Sequence, residues 1–108
     1  MRRSLILPLL PLTLLLVGAA PDGSTIAHDG NGNGAMACVS CHGQRFQGNL
    51  AIGAPALAGL PDVKILERLT HYAGPNGHNP LMRQVATALS TPERQAVASY
   101  LSSLPAPH

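Results

Sequence analysis

The stretch Cys38-Val39-Ser40-Cys41-His42 constrains this chain more than any other part of its sequence. Two thiols three positions apart lie on nearly the same face of one helical turn, so both can add to the vinyl groups of a single macrocycle. A histidine directly after the second thiol can place a ring nitrogen under that macrocycle and bind its iron. This order of residues is typical of covalent haem attachment. We therefore predict one haem c, with its iron, bound through Cys38 and Cys41 and ligated by His42.

The same cysteine spacing also occurs in zinc sites and in redox-active dithiols. A structural zinc site needs two further Cys or His ligands at a second paired spacing, and neither a third cysteine nor such a histidine pair is present. A thioredoxin-like dithiol is expected within a βαβ pattern, which this sequence does not show. A plain disulfide would be strained at this spacing and would leave His42 unexplained. The dithiol is therefore the main alternative to haem.

Residues 1–19 have the organisation of a secretory signal peptide. Arg2 and Arg3 precede an apolar run over 5–17, and small residues follow at the expected cleavage site before Ala20. The run is shorter than the roughly 20 apolar residues that cross a bilayer, so no stable membrane insertion is expected after cleavage. These features predict export to the periplasm.

Without the signal peptide, the chain carries equal numbers of basic and acidic side chains. These are Arg45, Lys64, Arg68, Arg83 and Arg94 against Asp22, Asp29, Asp62, Glu67 and Glu93. The formal net charge of +2 in the full sequence therefore comes from Arg2 and Arg3. Because no basic stripe remains, nucleic acid is not expected as a partner.

The rest of the sequence predicts an all-α domain of short helices and long loops around the haem. Residues 20–32 are rich in Gly, Asn and Asp, which are turn-forming residues, and are expected to be a flexible segment. A short first helix is expected to begin near Asn33 and to run into the haem motif. The haem domain is predicted to span 33–105, and residues 106–108 are a short tail.

Three later helices have clear boundary signals. Pro61-Asp62 begins the first of them and Gly74-Pro75 ends it, a second is expected over 80–89, and the last runs from Thr91 as N-cap towards Pro105. The apolar positions expected to face inward in the first of these helices are Val63, Leu66, Leu69 and Ala73.

The side of the iron opposite His42 needs a second ligand from elsewhere in the chain. Met82 follows His42 by forty residues, so the chain can pass around the ring and return, whereas Met36 is tethered beside the attachment cysteines. We therefore predict thioether coordination by Met82, with His78 and then His71 as alternative ligands. A methionine that only fills a gap in the core is the structural alternative.

The chain resembles the class I c-type cytochromes, and within them a single-haem half of the periplasmic dihaem cytochromes c. The resemblance implies the cytochrome c fold, in which the first and last helices cross. It also implies that the backbone carbonyl of Pro55 accepts a hydrogen bond from the second ring nitrogen of His42. The residues that carry the resemblance are Ala37-Cys38-x-x-Cys41-His42-Gly43, Pro55-Ala56-Leu57-Ala58-Gly59, the isolated Met82, and Leu89-Ser90 before the helix that ends Tyr100-Leu101.

The function expected from these residues is the transfer of single electrons between periplasmic redox proteins, a donor and an acceptor. Axial His and Met ligands leave no open position for a substrate, which argues against an enzyme. The main alternative is a haem c subunit of a larger dehydrogenase or oxidase complex. A five-coordinate haem that acts as a peroxidase or binds small gases is a third possibility, and a haem-free thiol oxidoreductase is a fourth.

Overall fold

The computed structural model describes residues 20–107, so the predicted signal peptide over 1–19 lies outside the described residues. Within the described part the regular secondary structure is helical, and the isolated bridge between Asn49 and Ala54 is the one β pairing there. The all-α prediction is therefore confirmed. In chain order the elements are α1 (Gly23–Asp29), α2 (Val39–His42), a 3-10 helix η1 (Leu50–Ile52), α3 (Asp62–Ala73), α4 (Pro80–Ala88) and α5 (Thr91–Ser102).

Helix α1 occupies part of the segment that was predicted to be a flexible loop. The prediction for 20–32 is wrong over Gly23–Asp29, which is helical. The helix expected near Asn33 is also absent, because residues 30–38 contain only bends, turns and extended chain before α2 begins at Val39. The non-helical stretch that the turn-forming residues predict is therefore shorter than expected and begins at Gly30.

The physical reason for α1 is a cap followed by a buried apolar pair. The carboxylate of Asp22 accepts hydrogen bonds from the backbone N–H groups of Ser24 at 3.0 Å and Thr25 at 3.3 Å. Such a cap satisfies donors that the first turn of a helix would otherwise leave unpaired. Ile26 and Ala27 then bury their side chains in the core, which stabilises a helix of only two turns.

Helices α1 and α5 cross where the backbones lie too close for a side chain. A Cβ atom at Gly23 would overlap the backbone carbonyl of Ala96 and would touch the Cβ of Tyr100 at 3.0 Å. Glycine is therefore required at this position for steric reasons. The crossing of the first and last helices that the resemblance implies is present, although the first helix begins ten residues earlier than expected.

Helix α3 has the predicted boundaries but not the whole predicted inner face. Leu69 is buried as expected, whereas Val63 is exposed and Ile65 takes the inward position. A two-residue step turns a helix by about 200°, so Val63 and Ile65 lie on nearly opposite faces. The prediction for Val63 is therefore wrong, and the core-facing stripe follows Ile65 and Leu69.

The core lies where these helices meet. Helix α3 packs against both α4 and α5, and α1 also packs against α5. The largest fully buried side chains are Phe46, Val97 and Leu101. Between residues 20 and 107 no helix has both the length and the apolar character needed to cross a membrane.

The N-cap of α5 is Ser90, one residue before the predicted Thr91. The Ser90 hydroxyl accepts the N–H of Glu93 at 3.2 Å, and the Glu93 carboxylate accepts the N–H of Ser90 at 2.8 Å. This reciprocal pair is a capping box. The hydrogen bond from the Ser90 backbone lowers the pKa of the Glu93 carboxyl below its ordinary value, and a second one from the Asn31 amide at 3.2 Å adds to the effect.

The lowered pKa of Glu93 predicts a pH-dependent contribution to stability. A carboxyl whose pKa is lower in the folded state stabilises that state above the unfolded pKa of about 4.3 and loses this effect as pH falls through its folded pKa. We expect Glu93→Gln to reduce the free energy of unfolding at pH 7, with a difference from wild type that shrinks below about pH 4. Denaturant titrations from pH 3 to pH 7 measure it. A difference that stays constant over this range would contradict the prediction.

Candidate haem site

The two cysteines and the histidine of the haem motif lie on one helical turn. The N–H groups of Cys41 and His42 both donate to the carbonyl of Cys38, at 3.3 Å and 2.9 Å. Gly43 ends the turn with φ of 97°, a conformation that strains any residue with a side chain. This short helix therefore holds both thiols and the imidazole in the arrangement that attachment to one macrocycle requires.

The thiol of Cys38 lies partly in the apolar interior. Burial raises the pKa of this thiol above its ordinary value, and hydrogen bonding to its own backbone offsets the effect only in part. The neutral form is therefore favoured, which suits a side chain that packs against the hydrophobic core. Cys41 is also partly buried.

The imidazole of His42 is buried and held by one hydrogen bond. Its side chain is only 6% exposed, and Nδ1 lies 2.7 Å from the backbone carbonyl of Pro55. A carbonyl can only accept, so Nδ1 carries the proton and Nε2 carries the free lone pair. The contact that the resemblance implies between Pro55 and His42 is therefore present.

The geometry of His42 fits an iron ligand. Buried polar atoms in proteins nearly always have a partner, yet among the described residues Nε2 of His42 forms no hydrogen bond. A metal ion bound at this nitrogen would provide the missing partner, with the hydrogen bond at Nδ1 fixing the ring orientation. The donor set of two neighbouring thiols and one oriented imidazole therefore fits a haem c.

Phe46 connects the haem motif to the segment that contains Pro55. Its carbonyl accepts the N–H groups of Leu57 at 2.8 Å and Ala58 at 3.1 Å, and its own N–H donates to the carbonyl of Gly43 at 2.9 Å. These bonds fix the chain on both sides of the contact between Pro55 and His42. Sequence reasoning missed this role, because backbone hydrogen bonds leave no signature in residue type.

Phe46 adopts a backbone conformation that phenylalanine rarely takes. Its φ is 57°, in the left-handed region, and it is the one residue other than glycine with positive φ in the described part. The buried ring packs edge-on against His28 and Tyr100, with centroid distances of 5.3 Å and 6.2 Å. These contacts join the loop to α1 and α5 and offset a conformational cost of about 1 kcal/mol.

Met82 lies on a separate element from the rest of the site. It is the third residue of α4, and its side chain is partly buried against the hydrophobic core. The alternative ligands His71 and His78 are exposed, and so is Met36. The structure therefore brings Cys38, Cys41, His42 and Pro55 together. Met82 lies on α4, which follows α3 in the chain.

The sequence model of the cytochrome c family matches residues 22–105, so this chain belongs to the cytochrome c family. Among curated proteins, it is 39% identical over 97 residues to the thiosulfate dehydrogenase electron acceptor of Stutzerimonas stutzeri (strain A1501), a match that covers 89% of this chain and 45% of that protein. The matched range includes α1, which lies within 22–105. The resemblance to c-type cytochromes is therefore confirmed.

Solved structures agree with this assignment. The cytochrome c4 of Acidithiobacillus ferrooxidans superposes with a TM-score of 0.70 at 36% identity, covering 76% of this chain and 47% of that one. A thiosulfate dehydrogenase from Marichromatium purpuratum superposes with a TM-score of 0.74 at 29% identity, covering 78% of this chain and 18% of that one. The chain thus spans about half the length of the curated acceptor protein and of the cytochrome c4.

Membership of the family establishes the cofactor and the general activity. The chain carries haem c, attached covalently through Cys38 and Cys41, together with its iron. The match over 22–105 also identifies this part of the chain as an electron-transfer domain. The prediction of haem in preference to a redox-active dithiol is confirmed.

The strained, buried Phe46 predicts an unusual order of stability among its variants. Removing the ring in Phe46→Ala should lower the free energy of unfolding by about 3–5 kcal/mol. Glycine normally costs about 0.5–1 kcal/mol relative to alanine, but it adopts positive φ freely, so Phe46→Gly should be the more stable of the two variants. Denaturant unfolding of both haem-loaded variants measures the order. A glycine variant that is less stable than the alanine variant would contradict this assignment of strain.

Proposed function

We propose that this chain is a periplasmic carrier of single electrons whose haem iron is held between His42 and Met82. The haem c supplies the one-electron couple of its iron. The observation that carries the proposal is the buried imidazole of His42, whose Nδ1 donates to Pro55 at 2.7 Å and whose Nε2 has no hydrogen-bond partner among the described residues. Export through residues 1–19 would place the protein where its thiols can receive haem.

The contact between His42 and Pro55 gives the imidazole a defined role. The bond at Nδ1 fixes the neutral tautomer and the orientation of the ring, and it raises the basicity of Nε2 as a ligand. Because the ring is buried, water competes poorly for that nitrogen. The axial ligand on this side therefore needs little rearrangement when the charge of the site changes by one electron.

Two observations and one chemical argument favour Met82 as the second axial ligand. Its backbone N–H donates to the side chain of Asn79 at 3.1 Å, so its place in the first turn of α4 is fixed. Its side chain points partly into the interior, whereas His71 and His78 are exposed. A thioether also raises the reduction potential relative to a second imidazole, which suits an acceptor of electrons from a dehydrogenase.

Replacement of Met82 tests the ligand assignment directly. A thioether bound to ferric iron gives a weak near-infrared charge-transfer band, which we expect in the wild type and not in Met82→Ala or Met82→His. The reduction potential of Met82→His should fall, because imidazole replaces the thioether. Met36→Leu is the matched control, since it removes an exposed methionine beside the motif and should keep the band. A wild-type spectrum without the band would point to His78 instead.

The similarities suggest the kind of donor. One similar curated protein is a thiosulfate dehydrogenase electron acceptor, and one similar structure is a thiosulfate dehydrogenase. We propose that this chain accepts electrons from a dehydrogenase that oxidises thiosulfate. The oxidised protein should be reduced when such a dehydrogenase and thiosulfate are both present, and by neither alone. Absorbance of the reduced haem follows the reaction, and a rate independent of the dehydrogenase would contradict the proposal.

A haem subunit of a larger complex is the second candidate. The observation that favours it is the apolar tip of the loop after the haem motif, where Leu50 is 99% and Ile52 58% exposed. The stretch from Phe46 to Pro61 carries no ionisable side chain, so a partner could cover it without burying a charge. Elution of the native protein in a stable complex from its host would support this candidate, and elution as a free small protein would support the carrier.

A further inference from the structure

We propose that Arg83 and Asn79 are positioning residues that hold Met82 in place for the iron. This inference rests on the proposed coordination by Met82 and adds to it the two side chains that decide how firmly the thioether is kept. Both side chains hydrogen-bond to backbone atoms in and around the loop that precedes α4. Neither residue belongs to the haem motif over 38–42.

Arg83 closes the chain between the end of α3 and the start of α4. Its Nη1 donates to the carbonyl of Gly74 at 2.6 Å, and Gly74 is the C-cap of α3. A guanidinium at the C-terminal end of a helix can hydrogen-bond to a terminal carbonyl and complements the helix dipole. The same carbonyl accepts the N–H of Gly77 at 3.2 Å. The hydrogen bond from Arg83 to Gly74 therefore links the two ends of this segment, and Met82 is the residue before Arg83.

The middle of this loop lies directly against α3. A Cβ atom at Gly77 would overlap the carbonyl of Tyr72 and would lie 2.7 Å from the carbonyl of His71. The loop backbone therefore contacts the last turn of the helix with no space for a side chain. With its ends joined by Arg83 and its middle in contact with α3, the loop has little freedom to move Met82.

Asn79 fixes Met82 itself. Its side-chain oxygen accepts the N–H of Met82 at 3.1 Å, and Pro80 begins the helix at its first position. An asparagine N-cap followed by proline is a strong signal for the start of a helix. Loss of this cap would let the first turn of α4 fray, and Met82 lies in that turn.

The strength of these contacts decides how often the iron loses its thioether. A competing ligand such as imidazole can bind only after the segment carrying Met82 has opened, so its apparent affinity scales with the population of the open state. Arg83 stabilises the closed state through one hydrogen bond from a charged donor at an exposed site. Loss of a bond of this kind should raise the open population about two- to tenfold.

Arg94 provides a matched control for Arg83. Its Nε and Nη2 donate to the carbonyl of Ala86 at 3.2 Å and 2.8 Å, so this arginine also bonds to a carbonyl near the end of a helix. The two arginines differ in where they bind. Arg94 binds to Ala86 in the last turn of α4, whereas Met82 lies in the first turn. Arg94→Ala should lower global stability without changing the opening at Met82.

The experiment is an imidazole titration of the ferric, haem-loaded protein. Loss of the near-infrared charge-transfer band measures how much imidazole has replaced the thioether. We expect the imidazole affinity of Arg83→Ala to rise about two- to tenfold, Arg83→Lys to fall between that variant and wild type, and Arg94→Ala to match wild type. Asn79→Ala should behave like Arg83→Ala, while Asn79→Asp, which keeps the cap, should stay near wild type.

The result that would overturn the inference is an equal imidazole affinity in wild type, Arg83→Ala and Asn79→Ala, all of which show the band. An equal rise in Arg83→Ala and Arg94→Ala would also overturn it, because a general loss of stability would then explain the effect. If Arg83→Ala does not load haem, the Arg83→Lys and Asn79 pairs decide in its place. A wild-type protein without the band would instead refute the coordination by Met82, so the two failures can be told apart.

Discussion

The structure depends on one hydrogen bond, from Nδ1 of His42 to the carbonyl of Pro55. It determines which nitrogen of the imidazole is free, and burial of the ring keeps that nitrogen from water. The chain between the two residues contains only the short 3-10 helix η1 and the isolated bridge between Asn49 and Ala54 as regular structure. Further support comes from the hydrogen bonds at Phe46 and from the packing of its ring between α1 and α5. The terminal helices therefore help to orient the imidazole although neither contains a ligand.

The two sides of the haem site are built in different ways. On the side of His42, the ligand follows the attachment cysteines directly, and its position is set within twenty residues of chain. On the side of Met82, the proposed ligand comes from a helix that begins after a loop rich in Gly and Pro, where Asn79 and Arg83 form hydrogen bonds to the backbone. Under this proposal, the thioether is the ligand that sequence changes can loosen or strengthen most easily.

Sequence reasoning succeeded where one residue type performs one local task. The haem motif and the boundaries of α3 follow from residues whose chemistry allows few alternatives, whereas the contact at Pro55 was implied by the resemblance to the c-type cytochromes. It failed at α1, because Asp22 caps a helix inside a segment whose overall composition indicates turns. It also missed the positive φ of Phe46. The contacts with His28 and Tyr100 that offset the cost of this conformation are tertiary, and no local sequence pattern reveals them.

The most direct test of the account is X-ray absorption at the iron edge of the haem-loaded protein, in both oxidation states. The account predicts one axial sulfur and one axial imidazole nitrogen in each state, with little change in either distance on reduction. In Met82→Ala the sulfur contribution should disappear and the nitrogen contribution should remain. Two axial nitrogens, or an open axial position in the wild type, would contradict the account.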